Sequence, residues 1–175
     1  MNLKDAIRTI PDFPKEGIMF RDITTLMTNA KAFKASIDAL AAPYQDKELD
    51  NVAGIDARGF VFGAAVAYAL GVGFVPIRKK GKLPFKTYTQ DYELEYGTDT
   101  LEIHADGVRK GEKVLLIDDL IATGGTAEAS IKLLQKTGAE IIGAAFVIDL
   151  PDLGGLGKIT SMGIPVTALV AYDGH

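Results

Sequence analysis

The chain contains no cysteine, no tryptophan and only two histidines. Without thiols there is neither a disulfide framework nor a thiolate metal site. His104 and His175 lack the partner spacing of a metal pair or a nucleophile triad and are expected to be structural or exposed. Excess positive charge is missing as well. The formal net charge of −4 argues against a general nucleic-acid binder, whose affinity comes largely from Lys and Arg set against phosphates, so any functional charge must be local. Long apolar runs are also lacking. Phe60 to Ile77 is uncharged, but Gly71, Gly73 and Pro76 interrupt it, so it reads as a buried helix (59–70) followed by a strand (74–77) rather than a membrane span. Repeats, low-complexity tracts and a signal-peptide pattern at Met1 to Ile10 are absent. What remains is 175 residues, 47% hydrophobic, which suits a single cytoplasmic domain over 1–175 with no nucleic-acid or membrane partner.

The most informative stretch is Val114 to Thr126. Val114-Leu115-Leu116-Ile117 reads as a strand buried on both faces, as in parallel sheets. Asp118 and Asp119 sit where that strand is expected to end. Ala122-Thr123-Gly124-Gly125-Thr126 then offers glycines for unusual dihedrals and two hydroxyls before a helical pattern in which Ala127, Ile131 and Leu134 share a face. Converging N–H groups in such a loop, together with the positive end of a helix, make a site for a phosphate dianion without any basic side chain. The neighbouring acids fit a phosphate carried on a sugar, because carboxylates accept hydrogen bonds from hydroxyls; ribose 5-phosphate would use both features. The alternative is that Asp118 and Asp119 only cap a strand and the glycines only turn the chain. Gly154-Gly155-Leu156-Gly157-Lys158 lacks the spacing and Ser/Thr of a Walker loop, and Gly71-Val72-Gly73 lacks the dinucleotide-binding pattern.

Elsewhere the pattern alternates helices and strands, the signature of an α/β fold with a mainly parallel sheet. A short helix is expected over Leu3 to Ile10, then an irregular segment set by Pro11, Pro14 and Gly17. Beside it, Phe20 either stacks on a planar ligand or belongs to the core. A helix over Ala30 to Ala42 precedes a strand at Val52 to Ile55. Asp56-Ala57-Arg58-Gly59 then forms a second strand-to-helix anion site, suggesting two phosphate groups, unless Arg58 is a plain surface charge. From Arg78 the chain is cationic through Lys86, then polar and aromatic to Tyr92, a long connection of the kind that serves as a lid. Further strands are expected near Thr100 to His104, Ile141 to Ile148 and Val166 to Ala171.

Taken with these elements, Val114 to Thr126 resembles the phosphoribosyl pyrophosphate motif of the type I phosphoribosyltransferases, and its Asp-Asp-Leu-Ile-Ala-Thr-Gly-Gly-Thr wording is similar to the adenine-using members. Pro11-Asp12-Phe13-Pro14 through Phe20-Arg21-Asp22-Ile23, Gly54 to Phe60, Arg78 to Pro84 and Leu94-Glu95-Tyr96-Gly97 are similar to that family in its order. The pattern departs at Phe85-Lys86, where many members have glycine.

The resemblance implies one domain with a central, mainly parallel twisted sheet flanked by helices, a hood over about 1–28 and a flexible catalytic loop over about 78–97. It implies conversion of adenine and 5-phospho-α-D-ribose 1-diphosphate to AMP and pyrophosphate. Glu95, Asp118, Asp119 and Arg58 would be catalytic, the acids holding ribose hydroxyls and Glu95 managing the base proton. Ile18, Phe20 and Arg21 would meet the purine, and Ala57, Arg58, Arg78 and Lys82 the diphosphate, with a cis peptide at Asp56-Ala57. Leu120, Ala122, Thr123, Gly124, Gly125 and Thr126 would hold the 5-phosphate side of the substrate, and Tyr96 would also contact it. Ala122 replaces the loop acid typical of relatives acting on 6-oxopurines, which moves the proton-handling role to Glu95. Mg²⁺ is expected mainly through substrate oxygens and waters, with no protein metal ligand, and a loop that serves a neighbour implies a homodimer. Transfer to hypoxanthine, guanine, xanthine or orotate, and non-catalytic sensing of phosphoribosyl pyrophosphate, stay open.

Overall fold

The computed structural model describes residues 1–94 and 96–174; Glu95 and His175, both singled out above, lie outside the described residues. In chain order the elements are β1 (Arg8–Pro11), β2 (Met19–Asp22), α1 (Thr24–Met27), α2 (Ala30–Ala41), β3 (Asn51–Ile55), α3 (Arg58–Leu70), β4 (Gly73–Lys79), β5 (Thr87–Leu94), β6 (Gly97–His104), β7 (Lys113–Ile121), α4 (Gly125–Thr137), β8 (Glu140–Asp149), α5 (Gly155–Thr160) and β9 (Val166–Ala171). A seven-stranded sheet runs β5-β6-β4-β3-β7-β8-β9. Its middle is parallel, through the β4–β3, β3–β7, β7–β8 and β8–β9 pairings. Its β4–β6 and β6–β5 pairings are antiparallel. No described helix is long and apolar enough to cross a membrane.

Alternation of side chains along the central strands decides the layers, because successive residues of a strand point to opposite faces. Val52, Leu115, Ile117, Ala145 and Val147 pack on one face with Phe62, Val66 and Ala67 of α3 and Ile37 and Leu40 of α2. Ala53, Val114, Leu116, Ala144 and Phe146 pack on the other with Ala127, Ile131 and Leu134 of α4. The near-continuous apolar run of β7 therefore serves two cores at once, as a doubly covered strand must. Gly71, at φ 71°, ends α3 where expected.

Two segments differ from the sequence expectation. Leu3 to Ile10 is not a helix: a 3-10 turn over Leu3–Ala6 gives way to β1, which pairs antiparallel with β2 in a separate two-stranded sheet. An isolated helix this short is marginal. The ladder instead gains the Arg8–Asp22 ion pair and an Arg21 to Thr9 hydrogen bond of 2.8 Å. The expected long connection from Arg78 is likewise mostly strand. β4 continues through Lys79, and β5 pairs along its length with β6 from Thr87–His104 to Leu94–Gly97. Thr87, Tyr88, Thr89 and Tyr92 favour an extended chain, which confines the irregular backbone to residues 80–86.

Candidate active site

The β3–α3–β4 crossover lies on one face of the sheet and β7–α4–β8 on the other, so strand order reverses direction between β3 and β7. In open α/β sheets the carboxyl ends of strands at such a switch point open a crevice. Strand lengths deepen it. The β3–β7 ladder ends at Gly54–Ile117, whereas the β7–β8 ladder continues to Ile121–Asp149. Asp118 and Asp119 were expected just beyond a strand; they lie inside its last part, paired on the β8 edge and released on the β3 edge. That released edge faces the start of α3.

Arg58, in the first turn of α3, donates from Nε to Asp119 Oδ2 at 2.6 Å. Asp119 is 8% exposed, so the guanidinium compensates a nearly buried carboxylate. Asp118 accepts the Asp119 N–H at 2.8 Å. A β-carbon on Gly59 would stand 2.8 Å from Asp118 Oδ1 and 3.2 Å from Ile117 O, which is why the first turn of α3 carries glycine where it meets β7. Desolvation at the floor of the crevice, then the neighbouring Asp119 charge, push the Asp118 carboxyl well above the usual carboxylate range; Arg58 pulls it back down. The Asp119 hydrogen bond and charge in turn raise Arg58, which stays a cation. The two acids are thus unequal: Asp119 is ion-paired with Arg58, and Asp118 is the one whose carboxyl burial raises.

The helices that start at this edge present backbone donors. Neither α3, capped by Ala57, nor α4, capped by Gly124 at φ 89°, carries a side-chain cap; Phe60 N–H donates to Ala57 O at 3.1 Å, which leaves the N–H groups of Arg58 and Gly59, and those of Gly125 to Ala127, to meet an anion. The Asp56–Ala57 peptide is cis, as the resemblance implies. Ala122, Thr123, Gly124, Gly125 and Thr126 line a cleft of about 170 Å³ together with Leu120 and with Tyr92, Glu93 and Leu94 of β5. A second cleft of about 340 Å³ is lined by Ile18, Met19, Phe20, Arg21, Arg58, Asp119 and Leu120, and on its far wall by Ile148, Leu150 and Leu153. Leu120 lines both, and Asp119, directly before it, lines the larger one. The arrangement accepts an apolar planar group in one cleft and a small anion in the other, with the Asp119 carboxylate beside the wall they share.

Most of the expected residues gather here. Phe20, held edge-on by Phe13 at 5.1 Å between centroids, and Ile18 form the hood side of the larger cleft. Arg21 lines it while lying over the Tyr172 ring at 4.2 Å. Arg78 donates to Asp56 at 3.1 Å and lies over Phe60, so it borders the Ala57 turn. Lys82 is exposed on the 80–86 segment, and Tyr96 is 88% exposed; neither lines the two clefts. Sequence reasoning missed Met19, Ile148, Leu150 and Leu153, whose apolar character marks a lining only once β2 and the end of β8 are seen to face each other. It also missed the Arg58–Asp119 pair, which joins residues far apart in sequence.

A family model described as phosphoribosyl transferase domain matches residues 24–155. The adenine phosphoribosyltransferase of Maricaulis maris is 62% identical over 174 residues, 99% of each chain. The structure of adenine phosphoribosyltransferase from Rhodothermus marinus superposes with a TM-score of 0.91 at 48% identity, over 97% of this chain and 96% of that one. The Saccharomyces cerevisiae enzyme, complexed with D-2,5-dideoxy-2,5-imino-altritol 1,6-bisphosphate and adenine, gives 0.90 at 40% identity over 96% of each. With the double-crossover sheet, the acidic pair at its switch point and the glycine loop beside it, these likenesses leave one assignment: the chain belongs to the phosphoribosyltransferase family, among the adenine phosphoribosyltransferases.

Proposed function

We propose that the protein transfers the phosphoribosyl group of 5-phospho-α-D-ribose 1-diphosphate to adenine, giving AMP and pyrophosphate in purine salvage. The observation that carries this reading is that the two clefts share Leu120 as a wall, with Asp119, bonded to Arg58, lining the larger cleft directly before it in the chain. A base held by Ile18, Phe20 and Leu153 and a 5-phosphate held by Ala122 to Thr126 put the anomeric carbon between them, beside the acids. The bond from that carbon to the diphosphate oxygen breaks, the bond to adenine N9 forms on the opposite face, and the N9 proton leaves to Glu95. Asp118 and Asp119 accept the ribose hydroxyls and favour positive charge growing on the sugar, so alignment and electrostatics supply most of the rate. Arg58, with the N–H groups after Ala57, and Arg78 and Lys82 hold the departing diphosphate. Tyr96, exposed on the hairpin, contacts substrate once the hairpin closes.

Among the described residues no three or more His, Asp or Glu side chains are grouped so that they could hold a metal ion. The hard oxygen donors at hand are Asp118 and the ion-paired Asp119, a set suited to an ion that arrives on its substrate. Mg²⁺ carried by diphosphate and ribose oxygens and by water would neutralise the leaving group. The protein works in the cytoplasm, where its polyanionic sugar substrate is retained by membranes. It acts as a homodimer: Val61, Ala64 and Tyr68 form an exposed apolar stripe on α3, Tyr68 being 90% exposed, and the basic 80–86 segment reaches the neighbour.

AMP formation from adenine, measured against hypoxanthine, guanine, xanthine and orotate with and without a Mg²⁺ chelator, tests the whole reading. Adenine alone is turned over, and only with the metal. Preference for another base overturns the substrate, and tight binding of the diphosphate sugar without turnover overturns the enzyme.

A further inference from the structure

The run Gly154-Gly155-Leu156-Gly157 lacks the spacing of a phosphate loop, yet it lies against one. Gly155 N–H donates to Ala122 O at 2.9 Å, and Leu150 N–H donates to Ile121 O at 3.0 Å. The two consecutive carbonyls that lead β7 into the Ala122–Thr126 loop are therefore both held by the segment 150–155. The approach is backbone against backbone. A β-carbon on Gly155 would run into Ala122 O and stand 2.7 Å from Gly124 N, and one on Gly124 would stand 2.9 Å from Gly155 Cα. Main-chain atoms cannot swing aside as a side-chain end can, so the loop itself would have to shift. The same segment sends Leu150 and Leu153 into the larger cleft.

We propose that Gly155 is a positioning residue for the 5-phosphate: it touches no substrate, and it fixes the path of the loop whose N–H groups do. The proposal rests on the reading of Ala122 to Thr126 as the phosphate anchor. A set of converging donors is sensitive to small displacement, and a misplacement of ~1 Å costs up to about a hundredfold in a positioned interaction. Segment 150–155 thereby sets the distance between the base wall and the phosphate cradle, because both are built from it or against it. Gly157, two residues on, has nothing within 4 Å of its would-be β-carbon and serves as the control.

The test compares dissociation constants of AMP and adenosine, whose ratio isolates the contribution of the phosphate. In the wild type AMP binds more tightly. Gly155→Ala lowers the adenosine-to-AMP ratio about tenfold while adenosine itself changes by less than about twofold; Gly157→Ala keeps the wild-type ratio. A wild-type ratio in Gly155→Ala overturns the proposal. A wild-type protein that does not prefer AMP overturns the anchor reading and the proposal with it, which separates the two failures. Should Gly155→Ala not fold, the wild-type protein labelled with ¹⁵N gives the second readout: ribose 5-phosphate displaces the Gly155 amide signal and adenine does not. An unmoved Gly155 signal under saturating ribose 5-phosphate overturns the proposal.

Discussion

Replacing Arg58 by Met removes the cation bonded to Asp119 while keeping most of the side chain's length. Breaking a fully buried ion pair costs about 3–5 kcal/mol, and an exposed pair is worth about 0–1 kcal/mol. Here the Asp119 side chain is 11% exposed and that of Arg58 54%, so water takes over part of the compensation and a loss of about 1–2 kcal/mol follows. For a chain of this length that is a fall in Tm of about 2–8 °C. The more telling consequence concerns Asp118. Its carboxyl is already raised by burial and by Asp119, and Arg58 opposes both. Without Arg58 it rises further.

In the proposed mechanism the ionised form of Asp118 is the one that favours a cationic sugar, so turnover should climb as pH rises through this titration, and Arg58→Met should move that climb to higher pH. Asp119→Asn does the reverse, because it removes the neighbouring negative charge and lets Asp118 ionise at lower pH. The assay is kcat/KM for the diphosphate sugar at saturating adenine from about pH 5 to pH 8. Each variant is scaled to its own plateau, which separates the position of the limb from the loss of amplitude both suffer. Acid limbs that superimpose on the wild type, or that move in the same direction in both variants, refute the coupling.

Three further outcomes follow from the same structure. Hydrogen bonds from Thr24, then Arg8, hold Asp22 down at about 2 against an ordinary 3.8. A depressed carboxyl stabilises the fold above its unfolded value and loses that contribution as pH falls through the folded one, and Arg8 is half exposed. Asp22→Asn should therefore cost about 1–2 kcal/mol at neutral pH by urea unfolding, a gap that closes between about pH 4 and pH 2; a gap independent of pH sinks the idea. Buried Glu102 accepts Gly81 N–H at 2.8 Å and the Thr87 hydroxyl at 3.0 Å, tying both ends of the 80–86 segment. Glu102→Ala should lose about 1–3 kcal/mol and open Lys80, Lys82 and Lys86 to trypsin in the folded protein, and unchanged cleavage would show the segment is held by other means. Glu95→Gln should lower kcat about a hundredfold or more with little change in KM for the diphosphate sugar, whereas full activity would remove Glu95 from the proton transfer.

What could be read in advance was whatever depends on neighbours in the chain. Val114 to Ile117 are β-formers flanked by charge, Gly71 follows a helical pattern, and Ala57 and Gly124 precede others, so strands, stops and uncapped helix starts were legible locally. What could not be read was set by partners distant in sequence. Leu3 to Ile10 has an acceptable helical pattern, and it turns into strand from Arg8 because Asp22 and Arg21 on β2 offer partners that a lone turn of helix cannot match. Asp118 and Asp119 looked like the end of a strand because acids interrupt the apolar run. They stay in β7 because β8 extends four residues beyond Ala145, the partner of Ile117, to Asp149, the partner of Ile121.

That difference bears on catalysis. Carboxylates on a loose turn would sit in water with ordinary acidity and variable position. Held in a strand that keeps one ladder and has lost the other, they have a fixed backbone on the β8 side and an open edge on the β3 side, where Arg58 enters and a sugar has room. The cost is the desolvation that raises Asp118, and Arg58 offsets part of it. In the proposed mechanism, substrate hydroxyls and the positive charge developing at the anomeric carbon would offset the rest, most fully at the transition state, where that charge is greatest. An acidic pair that is uncomfortable in the free protein and relieved as the sugar becomes cationic is what differential stabilisation requires of this position, and it follows from the unequal lengths of β3 and β8 on either side of β7.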